Sequence, residues 1–276
     1  MTDSDEATYI ISGGERGRER LRLLSRVMWP TTNALFQRIG FPQDAMILDV
    51  GCGGGDVTVA LRQLAPHGRA VGIDVDDVKL GLARAEADAA GLTDIEFRVE
   101  DVTQPPPERD LGRYDAIYVR FVLTHLRDPA AAVGHLVARL APDGVLIVED
   151  LDFRGHFCYP ESEVFDRYVE LFARTARASG ADPDIGARLP HMLRHAGLER
   201  TSVNIVQPAG FDDDVKQIAP VTLEAIADSV VHAGVATARE VADTLDELSA
   251  FVGRPDTLLS LPRIVQTWGY RGGSVP

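Results

Sequence analysis

Cysteine is scarce in this 276-residue chain: only Cys52 and Cys158 occur. One pair at most excludes the multi-bridge framework of a small secreted domain. Long apolar runs are missing too. None approaches the roughly 18 residues that cross a bilayer, so no membrane span is expected. The opening MTDSDEATYI is acidic and has neither the basic nor the apolar region of a secretory signal. Cytoplasmic residence is therefore the expectation. Positive charge is in deficit, with 28 Lys and Arg against 42 Asp and Glu and a net charge of −14. Binders of polyanions need a positive field to release counterions, so nucleic acid is not expected as a partner. The Arg-rich stretch from Glu15 to Arg26 interleaves Glu with Arg and reads as a solvated helix laced with ion pairs. Repeats and low-complexity tracts are absent as well.

Apolar periodicity is plentiful. Leu21, Leu24, Val27 and Met28 recur at helical spacing. Trp29-Pro30 is expected to end that helix, with a second short one through Leu35, Phe36 and Ile39 closing at Gly40. Strand-like runs then alternate with helical ones. The strands are 46–50, 70–74, 95–99, 114–119 and 144–150; the helices are 56–65, 77–90 and 129–140. Several of these strands are apolar throughout, as in a parallel sheet covered on both faces. After Asp150 the rhythm breaks into helices at 161–178, 187–196 and a long region at 221–251, with strands at 202–207 and 263–269. The reading is an α/β chain: an N-terminal flap over 1–42, then one domain over 43–276 with helical cap insertions at about 151–199 and 208–261.

The stretch MILDVGCGGGDVTVAL (46–61) decides the class. A strand ends, Gly51, Gly53 and Gly55 let a ligand approach bare backbone, and a helix begins with its N–H groups aimed at the loop. The dinucleotide fingerprint would need glycine where Asp56 stands, and no Lys-Ser or Lys-Thr makes a phosphate-binding loop. Acids at 49 and 56 disfavour a pyrophosphate and suit a ligand bearing an ammonium group. Asp74, ending the second strand, is placed to accept both hydroxyls of a ribose. Asp101, after the third strand, is placed to accept an exocyclic amine of adenine, with Ile73 or Val75 and Val102 flanking the ring. Amine, carboxylate, ribose and adenine without phosphates describe S-adenosylmethionine.

LDVGCGGG, the following GID, EDV after strand three and APDGVLIVED resemble class I S-adenosylmethionine-dependent methyltransferases. YIISGGERGRERLRLL, YVRFVLTHLRDP, DIGARLPHMLRHAGL and RIVQTWG are similar to the small-molecule branch of quinone-biosynthesis and natural-product methyltransferases. The resemblance spans nearly the whole chain. It implies a Rossmann-like, seven-stranded, mostly parallel sheet with helices on both faces and an antiparallel last strand, which RIVQTWG would insert late. It also places Arg120 near the methionine part of the cofactor, with a structural ion pair as the alternative, and Tyr9, Gly13 and Gly14 in a flap over it.

A methyl transferase of this kind needs alignment and exclusion of water more than a sharp catalytic set. His125 and His156 are the candidate general bases, His156 with Asp150 or Asp152 beside it. A structural or cofactor-shell role competes for His125, and a solvent-exposed loop position for His156. His191 and His195 have helical chelate spacing but no third ligand in sight, so no metal is expected. Cap aromatics Phe153, Phe157, Tyr159, Phe165, Tyr168, Phe172 and Trp268 point to a small apolar acceptor, methylated on oxygen before nitrogen or carbon, in secondary metabolism. A cofactor-binding enzyme of the same fold that cyclises or rearranges its substrate is the rival reading, and a homodimer is compatible with either.

Overall fold

The computed structural model describes residues 14–211 and 214–273. The elements run α1 (Gly14–Ile39), β1 (Met46–Val50), α2 (Asp56–Leu64), β2 (Arg69–Asp74), α3 (Asp77–Ala89), β3 (Ile95–Val99), β4 (Tyr114–Arg120), α4 (Pro129–Arg139) and β5 (Leu140–Asp152). There follow β6 (Cys158–Tyr159), α5 (Glu163–Ala178), α6 (Leu189–His195), β7 (Leu198–Val206), β8 (Ala209–Gly210), α7 (Asp214–His232), α8 (Ala238–Val252), β9 (Leu258–Ser260) and β10 (Arg263–Arg271).

Seven strands form one sheet in the order β3-β2-β1-β4-β5-β10-β7. The first five pair in parallel, and β10 runs antiparallel to both β5 and β7. The reversed strand is RIVQTWG, slotted between β5 and β7 as its late place in the chain implied. Alternation along β1 sends Ile47 to one face, with Leu35, Phe36, Leu61 and Tyr118, and Leu48 to the other, with Val71, Leu136 and Leu193. Each fully buried aliphatic side chain contributes about 1.5–3 kcal/mol. Two-sided burial is why these strands carry unbroken apolar runs. Helix α3 packs Leu80, Ala83 and Ala87 on Phe97 near the sheet's β3 edge.

Two helical expectations need correction. Trp29-Pro30 does not break the chain: α1 passes through Pro30 for 26 residues. A helix-interior proline costs about 3 kcal/mol. Buried Leu23, Leu24 and Met28 on one side of it and Thr32, Leu35 and Phe36 on the other outweigh that cost. The region 221–251 is two helices, because Gly234 takes a positive φ of 64° at the end of α7 and Thr237 opens α8 with a reciprocal capping box to Glu240.

Helices α5, α7 and α8 build a second core of their own, in which Phe172, Leu223, Ile226, Leu248 and Phe251 are buried and Phe153 stacks on Phe172 at 4.1 Å. A small sheet, β6-β9-β8, borders this layer. Leu23 and Leu24 of α1 meet Val215 and Ile218 of α7 and Ile264 of β10, which ties the helical layer over the carboxyl ends of the strands. Among the described residues no helix is long and apolar enough to cross a membrane.

Candidate active site

Strand order reverses between β2-β1 and β4, and that point opens a crevice at the carboxyl ends of the strands. A single cavity of about 830 Å³ fills it. The glycine loop, Asp74 and the loop after β3 form its floor, and α1, α5 and α7 form its roof.

The loop is held by the main chain. Gly51 and Cys52 both donate to the Ile73 carbonyl, at 2.8 and 3.0 Å. Gly51 has φ of 66°, and a methyl group there would lie 2.3 Å from Val122 Cγ2. Gly55, also at positive φ, caps α2 and packs against Ala83 and Phe97; it does not line the cavity. Gly54 and Asp56 line it in its stead. Burial pushes the Cys52 thiol far up, with Asp49 and Asp74 adding to the shift, so this cysteine is no nucleophile.

Asp74 grips the floor with both carboxylate oxygens. Oδ2 accepts from the Gly53 amide and Oδ1 from the Asp76 amide, each at 3.0 Å. Every carboxylate oxygen has a second lone pair, so the fork still offers two acceptors to the cavity. The cap of α3 belongs to Asp76, whose Oδ1 accepts from Val78 and Lys79. Asp101 accepts from the Thr103 amide and hydroxyl through Oδ1. Its loop is anchored by Arg139, fully buried between Glu100 and Asp110. Val102 is buried and Val75 exposed, and both line the same end of the cavity.

Asp49 lies 3% exposed at the cavity wall and accepts from Thr58 Oγ1 at 2.6 Å. Burial raises its carboxyl to about 7, against the lowering effects of Thr58 and Arg120. Arg120 stands opposite. Burial opposes its charge, but Tyr118, Glu149, Asp49 and Asp56 surround and sustain it. Glu149 is itself fully buried and accepts from Thr32, Gln266 and Tyr118, linking α1, β10 and β4 behind the site. Phe121 follows with φ of 55°, backbone strain of the kind that gathers at functional sites.

The histidines differ. His125 lies at the cavity wall with its pKa lowered to about 4, by burial first and then by Arg20 and Lys79. His156 has no acidic neighbour of the kind expected. Asp150 accepts from the Thr124 and Leu151 amides, and Asp152 pairs with Arg154 and Arg263. His156 Nδ1 lies 2.9 Å from the Phe153 carbonyl, which fixes it as the donor and leaves Nε2 as the basic nitrogen. The ring is wedged against Phe153, Phe165 and Tyr168, and burial lowers its pKa to about 4. It is not the solvent-exposed loop residue of the alternative reading.

Of the cap aromatics, Phe153, Tyr168 and Phe172 reach the cavity. Phe157 and Tyr159 are 45% and 69% exposed, Phe165 belongs to the cap core, and Trp268 lies further along β10 from the crevice, opposite Ile147 and packed with Leu35 and Phe36 beneath Arg38. Tyr9 and Gly13 lie outside the described residues, and Gly14 begins α1. Sequence reasoning missed Arg20, Ser25, Thr222 and Ser260, all on the cavity wall. The alternation of Glu with Arg assigns Arg20 to a solvated face, yet it falls on the apolar stripe with Leu23, Leu24 and Val27. That spacing was its available signal.

This fold, with a glycine loop and Asp49, Asp74 and Asp101 lining one cavity at the carboxyl ends of the strands, is that of a class I S-adenosylmethionine-dependent methyltransferase. The chain belongs to the methyltransferase-domain family, whose model matches residues 43–197. It is 30% identical over 221 residues to a trans-aconitate 2-methyltransferase of Methylobacterium radiotolerans, covering 79% of this chain and 73% of that protein. To the enzyme of the same description in Escherichia coli O139:H28 it is 32% identical over 149 residues, covering 54% of this chain and about half, 51%, of the relative. Geranyl diphosphate C-methyltransferase of Streptomyces coelicolor A3(2), solved with S-adenosyl-L-homocysteine, superposes with a TM-score of 0.54 at 13% identity, covering 93% of this chain and 84% of that one.

Proposed function

We propose that this enzyme transfers the methyl group of S-adenosylmethionine to an oxygen of a small, largely apolar acceptor. The observation that carries the reading is the continuity of the cavity. The acids suited to the cofactor and the apolar walls suited to an acceptor bound one volume, with no partition between them.

The donor set fits the cofactor. Asp74 presents its two free lone pairs to the ribose hydroxyls. Asp101 and the Val75–Val102 pair take the adenine end. Asp49 meets the ammonium group, and Gly51 and Gly53 leave the backbone open to the methionine part. Bound there, S-adenosylmethionine supplies an electrophilic methyl group with neutral thioether as its leaving group. The chain's own work is to align and to dry. Leu24, Phe153, Phe172, Ile218 and Leu261 wall the acceptor side and exclude water. His156 Nε2 takes the proton that the acceptor hydroxyl loses as its oxygen bonds to carbon. General bases of this kind contribute about 10²–10⁴-fold.

The test is product analysis. Purified enzyme is incubated with labelled S-adenosylmethionine and a panel of acceptors beginning with trans-aconitate, the compound in the relatives' name, and extending to apolar hydroxylated aromatics. S-adenosylhomocysteine formed together with a methyl ether or ester supports the reading. A rearranged or cyclised acceptor with no S-adenosylhomocysteine refutes it.

A further inference from the structure

Arg20 is 8% exposed and lines the cavity from α1, yet among the described residues no acid pairs with it. Among the described residues its one hydrogen bond is from Nε to Thr222 Oγ1 of α7, at 3.1 Å, and no carboxylate lies within 4.0 Å of its guanidinium. An arginine has five N–H donors in a rigid fork. One is spent on the threonine, and the Nη1 and Nη2 ends have no described partner. A buried cation left unpaired is costly, and proteins retain one where a ligand completes it.

The contrast with Arg120 decides which ligand. Arg120 sits in the field of Asp49, Asp56 and Glu149, so the protein itself balances its charge on the cofactor side. Arg20 acts instead on His125 and Tyr168 and is braced by Thr222. Tyr168 and Thr222 belong to the helical roof, the wall assigned above to the acceptor. Beside that guanidinium the lining is apolar: Leu24, Phe172, Ile218 and Ala219.

We infer that the acceptor is amphipathic, with an apolar body and an anionic group, a carboxylate by chemistry, that docks on the Nη1–Nη2 fork of Arg20. Thr222 fixes the fork's orientation through Nε, so the bidentate edge faces the cavity. This rests on the methyl-transfer reading and narrows its acceptor from apolar to acid-bearing. The carboxylate is an anchor; the oxygen that receives the methyl group lies elsewhere on the molecule, toward His156.

The other carboxylate available in this cavity is the cofactor's own, and the experiment separates the two. Wild-type enzyme saturated with S-adenosylhomocysteine is titrated calorimetrically with matched pairs: 3-phenylpropionate and its amide, 4-hydroxycinnamate and its amide, trans-aconitate and its triamide. At least one acid is expected to bind about tenfold or more tighter than its amide, the scale of a charge-assisted pair. In Arg20→Met that ratio collapses to near one, Arg20→Lys recovers part of it, and S-adenosylhomocysteine affinity stays within twofold. Failure of S-adenosylhomocysteine to bind the wild type would refute the methyl-transfer reading itself. If it binds but no acid is preferred over its amide, the inference is wrong. It is equally wrong if Arg20→Met weakens S-adenosylhomocysteine tenfold and leaves the acid-to-amide ratio intact. The wild-type ratio needs no variant, so a misfolded substitution does not rescue the proposal.

Discussion

Asp49 should make cofactor binding depend on pH in a range where carboxylates are ordinarily silent. Burial holds its carboxyl at about 7 instead of the usual 3.8. At 1.36 kcal/mol per decade this is a net penalty of about 4 kcal/mol on the charged form. A cation brought to about 4 Å contributes about 4 kcal/mol at an effective dielectric of about 20. The two effects are matched, so a bound ammonium group returns Asp49 to its ionised state and one proton leaves on binding. The sign follows: below pH 7 the free enzyme carries that proton and binding must expel it, whereas above pH 7 it is already gone. Calorimetry of S-adenosylmethionine between pH 5.5 and 8 should show Kd falling by up to about tenfold per pH unit until about pH 7 and then levelling. Asp49→Asn, which cannot ionise, should flatten the curve and bind with the weaker, acid-side affinity throughout. A wild-type Kd constant within twofold across the range would refute the reasoning. So would an unchanged slope in Asp49→Asn.

Other consequences are as specific. Gly51→Ala puts a methyl group 2.3 Å from Val122 Cγ2 at a positive φ; strain of about 1–3 kcal/mol should lower Tm by about 2–5 °C in differential scanning calorimetry. His156→Phe preserves the packing but removes Nε2, so kcat should fall by about 10²–10⁴-fold with cofactor binding unchanged. With cofactor saturating, the wild-type rate should stay flat through pH 6.5 and fall only as pH approaches 4, since burial keeps His156 neutral down to about 4; an acid limb at 6.5 would argue against His156 as the base. Arg139→Met strands Glu100 and leaves Asp110 to Arg98; breaking a buried pair costs about 3–5 kcal/mol, and a Tm within 2 °C of wild type would contradict that.

The sheet was legible because its strands are buried on two faces. Met46–Val50 and Ile95–Val99 coincide with the expected runs, and the reversed place of RIVQTWG came from family resemblance. The floor of the site was legible for a related reason. In a parallel sheet, the residue that ends each strand falls at the same edge, so Asp74 and Asp101 could be placed by counting. What failed was whatever depends on packing between distant segments. Pro30 punctuates a helix only when neither half has a core to join, and both halves of α1 do. Gly55 looked like a ligand-facing glycine, but its α-carbon faces Ala83 and Phe97. Composition treats Arg20 as surface charge; only its i+3 and i+4 leucines betray that it points inward. His156 was given acidic partners by proximity in sequence, whereas a carbonyl three residues back is the partner the fold supplies.

On the proposed reading, the edge running from Asp49 through Asp74 to Asp101 holds S-adenosylmethionine. Titration of the wild-type protein and of Asp74→Ala with S-adenosylmethionine at pH 7.5 tests it most directly. One-to-one binding that weakens at least tenfold in the variant is the expected result; no binding to the wild type, or equal affinity for both proteins, would contradict it.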